Sequence, residues 1–373
     1  MMNTKILITG GAGFIGSHLT DELLAQGYEV RLLDNLEPQV HGSSRKRPSY
    51  LSSEAELVIG DVRDSALVER ALQGVSAVFH LAAAVGVGQS MYRIGHYVSN
   101  NDFGTAVLLQ NLVKRRVERL IVASSMSIYG EGLYRTRDEA TASSVDRTIG
   151  DLNAKRWEVR NSEGEELTPV HTPESKPPSA SSVYALSKYA QEQMCLAVGR
   201  AYRVPTIALR FFNVFGSRQA LSNPYTGLLA IVASRLLNNR RPVIFEDGLQ
   251  QRDFVSVKDV ARACRLALDP KVPADQIFNV GTGNPITVRE VVRRLAQALG
   301  KGHIFAEITQ KYRVGDVRHC FADISKARRK LGYQPEISLS AGLREFAAWV
   351  AGQIAVDHVP EATAELHTRG LAI

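Results

Sequence analysis

The first half of the chain alternates between short apolar runs and longer segments with helical spacing. Apolar runs typical of buried strands cover residues 5–9, 28–33, 56–59, 77–81, 119–124 and 206–211. Segments with apolar residues three and four positions apart predict helices over 14–26, 65–72, 97–116 and 184–202. This alternation predicts an α/β fold, a doubly wound parallel sheet with helices on both faces.

After residue 215 the predicted elements become shorter and mixed. Helical patterns follow at 228–237, 257–268, 288–299 and 339–351, with a strand near 243–245. We therefore expect a first domain over 1–215 that takes in part of 250–280. A smaller, partly interleaved α/β substrate domain is expected over 216–355.

Two segments break this rhythm. Residues 131–180 are rich in Glu, Arg, Ser, Thr and Pro and have no regular period, with Trp157 isolated among polar neighbours. Such a stretch predicts an insertion that is flexible or acts as a lid. Residues 356–373 carry little apolar pattern, which predicts a flexible tail.

Composition narrows the class of protein. Apolar residues make up 45% and charged residues 22% of the chain, as in a globular protein with a large core. No apolar run approaches the roughly 20 residues of a membrane span. There is also no secretion signal, so we expect a cytoplasmic protein without a membrane partner.

Cysteines and charge exclude two further classes. Cys195, Cys264 and Cys320 lie far apart, which argues against a disulfide framework or a structural zinc site, and we expect no metal. The net charge of +7 is spread along the sequence without a nucleic-acid-binding motif. We therefore expect no nucleic-acid partner.

A glycine triplet lies between the first predicted strand and the first helix. Gly10, Gly13 and Gly16 suit a tight turn that brings backbone N–H groups and a helix N-terminus to a pyrophosphate. Asp34 ends the second strand about 20 residues on, where a carboxylate hydrogen-bonds an adenosine ribose. Since Asp34 repels a 2′-phosphate and Asn35 adds no positive charge, the pattern favours NAD over NADP.

Tyr184 and Lys188 lie one helical turn apart on the same face. A tyrosine acts as a base at neutral pH only if its pKa falls by about three units, which takes about 4 kcal/mol. A neighbouring ammonium, helped by a nicotinamide cation, is a physical source of that stabilisation. Serines 124, 125 and 127 end a predicted strand at the edge where this fold binds ligands, and turn formation is the alternative role for each.

The ordered series of motifs resembles the extended short-chain dehydrogenase/reductase family, in its nucleotide-sugar epimerase branch. The match spans residues 4–350 and rests on TGGAGFIGSH, LLDN, GDVRD, HLAA, SSMSIYG, YALSK, RFFNVFG and RDFVSVKDV. The resemblance implies a Rossmann-type fold, NAD as cofactor and a catalytic triad of Ser125, Tyr184 and Lys188. The implied cofactor contacts are Gly10, Gly13, Phe14, Ile15, Gly16, Asp34, Asn35, Asp61, Val62, Leu81, Ala82, Ala83, Asn100, Tyr184, Lys188 and Phe212. The implied contacts to a nucleotide-sugar substrate are Ser125, Ser127, Asn213, Asn223, Arg252, Arg313 and Cys320, with a core role equally open for Cys320.

The reaction is narrowed by residues 126 and 127. Sugar dehydratases of the family carry an acidic pair directly after the catalytic serine or threonine, where this chain has Met126 and Ser127. What remains is oxidation and re-reduction at one carbon, a 4-epimerase reaction through a 4-keto sugar.

The runs 124–135, 168–192 and 208–227 are similar to dTDP-L-rhamnose 4-epimerases, which interconvert dTDP-L-rhamnose and dTDP-6-deoxy-L-talose for cell-surface polysaccharides. UDP-hexose, UDP-N-acetylhexosamine and UDP-uronate stay open as substrates. A non-catalytic NAD-binding sensor and a one-way sugar ketoreductase stay open as classes. The helices over 97–116 and 184–202 resemble those of the family's dimer interface, which implies a homodimer.

Overall fold

The computed structural model describes residues 4–142, 145–225, 227–313 and 315–372. Its strands, in chain order, are β1 (Lys5–Thr9), β2 (Glu29–Asp34), β3 (Glu56–Ile59), β4 (Ala77–His80), β5 (Arg119–Ser125), β6 (Leu133–Arg135), β7 (Thr141–Ala142), β8 (Thr168–Val170), β9 (Thr206–Phe211), β10 (Asn213–Phe215), β11 (Val243–Ile244), β12 (Gln251–Ser256), β13 (Gln276–Val280), β14 (Pro285–Thr287), β15 (Glu307–Ile308) and β16 (His319–Cys320).

Its α-helices are α1 (Phe14–Ala25), α2 (Pro38–His41), α3 (Ser65–Ala71), α4 (Val87–Ser90), α5 (Ile94–Tyr97), α6 (Gly104–Lys114), α7 (Ile149–Asn153), α8 (Val183–Tyr202), α9 (Leu228–Leu237), α10 (Val257–Leu266), α11 (Val288–Ala298), α12 (Ser325–Leu331), α13 (Leu339–Ala351) and α14 (Val359–Thr368). Along the described ranges, no helix combines the length and the apolar character that crossing a bilayer requires.

A parallel sheet of seven strands forms the centre of the molecule, in the order β3-β2-β1-β4-β5-β9-β13. Alternate side chains of each strand enter different apolar layers, as the pleat requires. Ile6 and Ile8 pack in the layer that contains α1, whereas Leu7 packs in the layer that contains α6. The predicted doubly wound α/β fold is confirmed.

The order of strands reverses between β1 and β4. From β1 the chain builds outward to β2 and β3, then returns to place β4 and β5 on the other side. In such sheets the connections after the two central strands diverge and leave a crevice at their carboxyl ends. The glycine turn after β1 and residues 81–84 after β4 border this crevice.

The helix expected over 97–116 is interrupted. Val98–Phe103 forms a π-helix between α5 and α6. Asn101, within this wider turn, accepts from Ala84 N at 2.7 Å and donates to Ala84 O at 3.1 Å. These bonds fix the segment to the loop after β4, and π-helical turns are frequent at functional sites.

The second half adds its own core and returns to the first sheet. β12 pairs with β10, β14 and β16, and helices α9, α11 and α13 share a separate apolar cluster. Within the same half, α10 packs on α1 and β13 extends the central sheet. The domain boundary at residues 215 and 216 stays a prediction.

The insertion at 131–180 contains regular structure, unlike the flexible or lid-like segment expected. β6 pairs with β7 and β8 in a small antiparallel sheet, and Tyr134, Val159 and Leu167 form its core. Trp157 is buried beside Leu152 and Tyr312 rather than isolated. The local pattern gave no period because part of the insertion packs on distant residues such as Glu246 and Tyr312. Residues 143 and 144 lie outside the described residues.

The tail expected to be flexible contains helix α14 over residues 359–368, and its flexibility stays a prediction. Ala362 and Leu366 are buried, with Leu366 packed on Gly88, and the Arg369 guanidinium lies 4.5 Å from the centre of the Tyr92 ring. Beyond the helix, Ala372 forms an antiparallel backbone bridge with Arg313. Two buried side chains are too few to produce a recognisable period. Residue 373 lies outside the described residues.

Candidate active site

One cavity of about 430 Å³ occupies the crevice at the carboxyl ends of the central strands. Its size is typical of a small-molecule or cofactor site. Sixteen residues were expected to touch the cofactor, and all of them line this cavity. A second cavity of about 520 Å³ lies beside it, against α14, and Gln39 and Gln89 line both.

The glycine turn leaves no room for side chains. Gly10 has φ +70°, and a Cβ on it would lie 2.8 Å from Ala82 N. A Cβ on Gly16 would lie 2.4 Å from Gly10 O, which is closer than real contacts allow. Helix α1 starts at Phe14 with Gly13 as its N-cap and without a side-chain cap. The first turn thus presents free N–H groups to the cavity, as a bound pyrophosphate requires.

Asp34 ends β2 with its carboxylate fixed by the backbone. Oδ2 accepts from Ala12 N at 2.9 Å, and Oδ1 accepts from Leu36 N at 2.9 Å. The side chain is buried and lines the cavity. Each carboxylate oxygen keeps a further lone pair, so the group suits a pair of ribose hydroxyls.

Asp61 is held by Arg63, which donates to both of its carboxylate oxygens, at 2.8 and 2.6 Å. These bonds lower the pKa of Asp61. Asn100 also lines the cavity, and its Nδ2 donates to His96 O at 2.7 Å. The residues present therefore fit a dinucleotide laid from the Asp34 end to the Tyr184 end of the cavity.

Helix α8 brings the expected triad together. Ser182 caps the helix by accepting from Ala185 N at 3.1 Å, and Tyr184 N donates to Ser90 Oγ at 3.0 Å. Tyr184 and Lys188 therefore lie on the first two turns, where both line the cavity with Ser125 from the end of β5. The Ser125 side chain is close enough to the Tyr184 hydroxyl to lower its pKa.

Burial raises the pKa of Tyr184, and the Ser125 side chain opposes this rise. The sequence led us to expect a lowered value instead. The expected lowering required a nicotinamide cation as well as Lys188, and the Lys188 ammonium donates to Gln191 Oε1 at 2.6 Å. Burial lowers the pKa of Lys188 to about 8. The protein alone thus opposes formation of the phenolate.

A buried polar cluster surrounds Lys188, and the sequence analysis did not identify it. Gln191, His80 and Thr105 come from three different elements and are almost fully buried. The signal available in the sequence was a glutamine one turn after Lys188 on the sheet-facing side of α8.

The expected substrate residues divide into two groups. Ser125, Asn213 and Asn223 line the cavity. Asn213 Oδ1 is buried without a hydrogen-bond partner among the described residues, so it is available to a ligand. Ser127 does not line the cavity, because its Oγ is bonded to Ser125 Oγ at 2.6 Å.

Arg252, Arg313 and Cys320 are also outside the cavity lining, unlike the expected clamp. Arg252 donates to the backbone oxygens of residues 251, 317 and 318, and its guanidinium lies 3.6 Å from Asp316. The Arg313 guanidinium lies over the Phe245 ring at 4.4 Å. Cys320 is buried in the core, where its thiol lies 3.9 Å from Thr172 Oγ1, and its role at the substrate stays a prediction.

Comparison with known proteins gives the same class of enzyme as the sequence motifs, the nucleotide-sugar epimerases. The dTDP-L-rhamnose 4-epimerase of Burkholderia thailandensis is 34% identical over 94% of this chain and 96% of its own length. The crystal structure of Thermotoga maritima UDP-glucose 4-epimerase with UDP-glucose superimposes with a TM-score of 0.75, 31% identity and coverage of 93% of this chain and 99% of that chain. The Thermus thermophilus UDP-glucose 4-epimerase complex with NAD gives a TM-score of 0.74, 30% identity and coverage of 94% and 100%.

The family comparison covers most of the molecule. The pattern of the NAD dependent epimerase/dehydratase family matches residues 6–150 and 162–281. These ranges contain the glycine turn, Asp34 and the triad. The expectations of NAD as cofactor and of an epimerase are confirmed by the family and by these relatives. This chain belongs to the NAD dependent epimerase/dehydratase family.

Proposed function

We propose that the protein is a 4-epimerase of a nucleoside-diphosphate sugar that converts dTDP-L-rhamnose to dTDP-6-deoxy-L-talose. The observation that carries the reaction type is the shared cavity, which brings Tyr184, Ser125 and Lys188 to the same crevice as the glycine turn. The sugar assignment is supported by the 34% identity to the Burkholderia dTDP-L-rhamnose 4-epimerase across nearly the whole chain.

The proposed chemistry needs one proton-transfer group. NAD, when bound, supplies reversible hydride transfer, and the residues that would hold it are the glycine turn, Asp34 and Lys188. Tyr184 Oη accepts the proton of the C4 hydroxyl and returns it after the ketone is reduced. Ser125 contacts the Tyr184 hydroxyl and keeps that hydroxyl directed at the sugar. Met126 and Ser127 provide no carboxylate for eliminating water, which favours epimerisation over dehydration.

The 4-keto sugar must present both faces in turn for the configuration at C4 to invert. Rotation about the diphosphate linkage achieves this if the nucleotide stays anchored while the ring is loosely held. Asn213 and Asn223 line the cavity wall, and we assign this anchoring to them.

The test is conversion of a panel of nucleotide sugars by purified protein without added NAD. We expect proton NMR to detect the C4 epimer from dTDP-L-rhamnose, and Tyr184→Phe to keep the cofactor but lose turnover. Conversion of UDP-glucose, UDP-N-acetylglucosamine or UDP-glucuronate alone would refute the sugar assignment. Turnover only with stoichiometric NADH and a keto sugar would indicate a ketoreductase, and cofactor binding with no turnover would indicate a sensor.

We also propose that the protein is a homodimer. Ile94, Val98, Phe103 and Leu186 are 43–56% exposed and come from α5, the π-helix and α8, which pack on one another. Large apolar side chains gathered on one face are typical of an interface. Light scattering should give twice the chain mass of 40.9 kDa. Phe103→Asp with Leu186→Asp should give the monomer, and a monomeric wild-type protein would refute the proposal.

A further inference from the structure

The Lys188 ammonium has a buried neutral partner. Nζ donates to Gln191 Oε1 at 2.6 Å, and the two residues are 3% and 1% exposed. Gln191 does not line the cavity and takes no part in the chemistry proposed above. It touches the reaction only through Lys188.

The orientation of the Gln191 amide is fixed independently of Lys188. The Thr105 hydroxyl donates to Asn101 O at 2.6 Å, because a carbonyl only accepts. Thr105 Oγ1 must therefore accept from its other neighbours, Gln191 Nε2 at 2.8 Å and His80 Nε2 at 2.8 Å. With its NH₂ group committed to Thr105, Gln191 has its carbonyl oxygen facing Lys188.

The hydrogen bonds of His80 also have fixed donors and acceptors. Burial lowers the pKa of His80 to about 3, so the ring is neutral and carries one N–H. That hydrogen lies on Nε2, since Thr105 accepts it, and Nδ1 then accepts from the Thr9 hydroxyl at 2.8 Å. Gln191 Nε2 also lies 3.3 Å from His80 Nε2 and 3.4 Å from Ala82 O, and its bond to Thr105 leaves the amide oxygen facing the ammonium.

The charged groups around Lys188 are engaged elsewhere or lie further away. Glu192, on the same helix, pairs with Arg210 at 2.7 Å and accepts from Ser124 at 2.6 Å. Asp102, on the π-helix, and Cys195, on the next turns of α8, raise the pKa of Lys188 by their electrostatic fields, with no hydrogen bond to it among the described residues. His80, from β4, is neutral. In the described ranges, the hydrogen-bonded partner of the ammonium is thus an uncharged amide.

We propose that Gln191 is a positioning residue that anchors the Lys188 ammonium without neutralising it, so that its positive charge acts on Tyr184. The inference deepens the proposed function and rests on it for the role of Tyr184. An amide holds one ammonium proton and leaves two directed elsewhere. A carboxylate at the same place would form an ion pair, stabilise the charged lysine and cancel its field at the phenol.

Two substitutions at position 191 should move the pKa of Lys188 in opposite directions. Gln191→Glu adds a negative charge and should raise it, whereas Gln191→Met removes the acceptor at similar size and should lower it. In protein labelled with ¹³C at lysine Cε, with cofactor bound, the Lys188 resonance reports this pKa once Lys188→Arg has assigned it. Gln73→Glu, at an exposed site, is the control and should leave the titration unchanged.

Turnover gives the second readout. We expect Gln191→Glu to lower kcat about tenfold or more at pH 7 and to move the rising limb of the kcat–pH profile to higher pH, with KM nearly unchanged. Thr105→Val removes the hydroxyl that fixes the Gln191 amide, so the amide can rotate. We expect this variant to lower the pKa of Lys188 as Gln191→Met does, but by a smaller amount.

The outcomes separate the inference from the proposed function. Equal Lys188 titrations in wild type, Gln191→Glu and Gln191→Met overturn the inference, as does a loss of stability with an unmoved pH profile. If Gln191→Glu or Gln191→Met prevents folding, the Lys188 titration of the other variant and of Thr105→Val still tests the inference. If no nucleotide sugar is converted by the wild type, the proposed function fails while the titration still tests the anchor.

Discussion

Replacing Lys188 by methionine is expected to stop turnover and yet stabilise the fold. The lysine is 3% exposed, and burial lowers its pKa from the usual 10.5 to about 8. That difference corresponds to about 3 kcal/mol of unfavourable burial of the charged form at neutral pH. Methionine has a similar length and carries no charge. It leaves Gln191 Oε1 without its donor, which costs about 1–2 kcal/mol.

The balance is a stabilisation of about 1–2 kcal/mol at pH 7, or about 1–3 °C in Tm for a chain of this size. The cost of the charged lysine is present below pH 8, where both folded and unfolded states hold the proton. It disappears as pH rises from about 8 to 10.5, because the folded state releases the proton first. The advantage of Lys188→Met should therefore shrink over that range.

Urea denaturation of cofactor-free protein at pH 7 and at pH 10 measures both quantities, and NMR of the sugar product measures turnover. Lys46→Met, at an exposed site, is the matched control and should change stability by less than about 0.5 kcal/mol. A variant that is less stable than the wild type at pH 7, or an advantage that does not depend on pH, would refute the reasoning.

Three further substitutions test the contacts that build and enclose the site. Gly16→Ala should abolish cofactor binding in a fluorescence titration, because its Cβ would meet Gly10 O at 2.4 Å, whereas Gly95→Ala, in open space, should bind normally. Arg318→Met should cost about 3 kcal/mol in urea denaturation, since it removes the buried guanidinium that Glu158, Glu246 and Asp247 share, while the exposed Arg137→Met should cost almost nothing. Leu366→Ala should raise amide exchange across 359–368 without changing exchange in the central sheet, and equal protection there would contradict the packing of α14.

The central sheet was predictable because its strands carry their own signal. The run at 5–9 matches β1 residue for residue, and the glycines that follow it reveal the turn, since no other residue fits there. The shared face of Tyr184 and Lys188 was predictable from their spacing, because residues four apart are neighbours on a helix, whereas their assignment to a triad needed the ordered motifs around them. These features depend on residues that are close in the sequence.

The features that the sequence did not predict depend on distant partners. The π-helix is drawn to the loop after β4 by Asn101, and α14 is held by contacts to Gly88 and Tyr92. Arg313 was expected in the cavity on motif position, yet a ring and a backbone bridge far along the chain hold it elsewhere. A period along the sequence carries no information about such contacts.

Helix α14 lines the second cavity, which shares Gln39 and Gln89 with the cavity that contains Tyr184. A helix anchored by two buried side chains is expected to open at a lower free-energy cost than the seven-stranded sheet. A molecule that enters or leaves on this side would then do so at the rate at which α14 opens. Ligand entry and release on this side would then limit the turnover rate, whatever the rate of proton transfer at Tyr184.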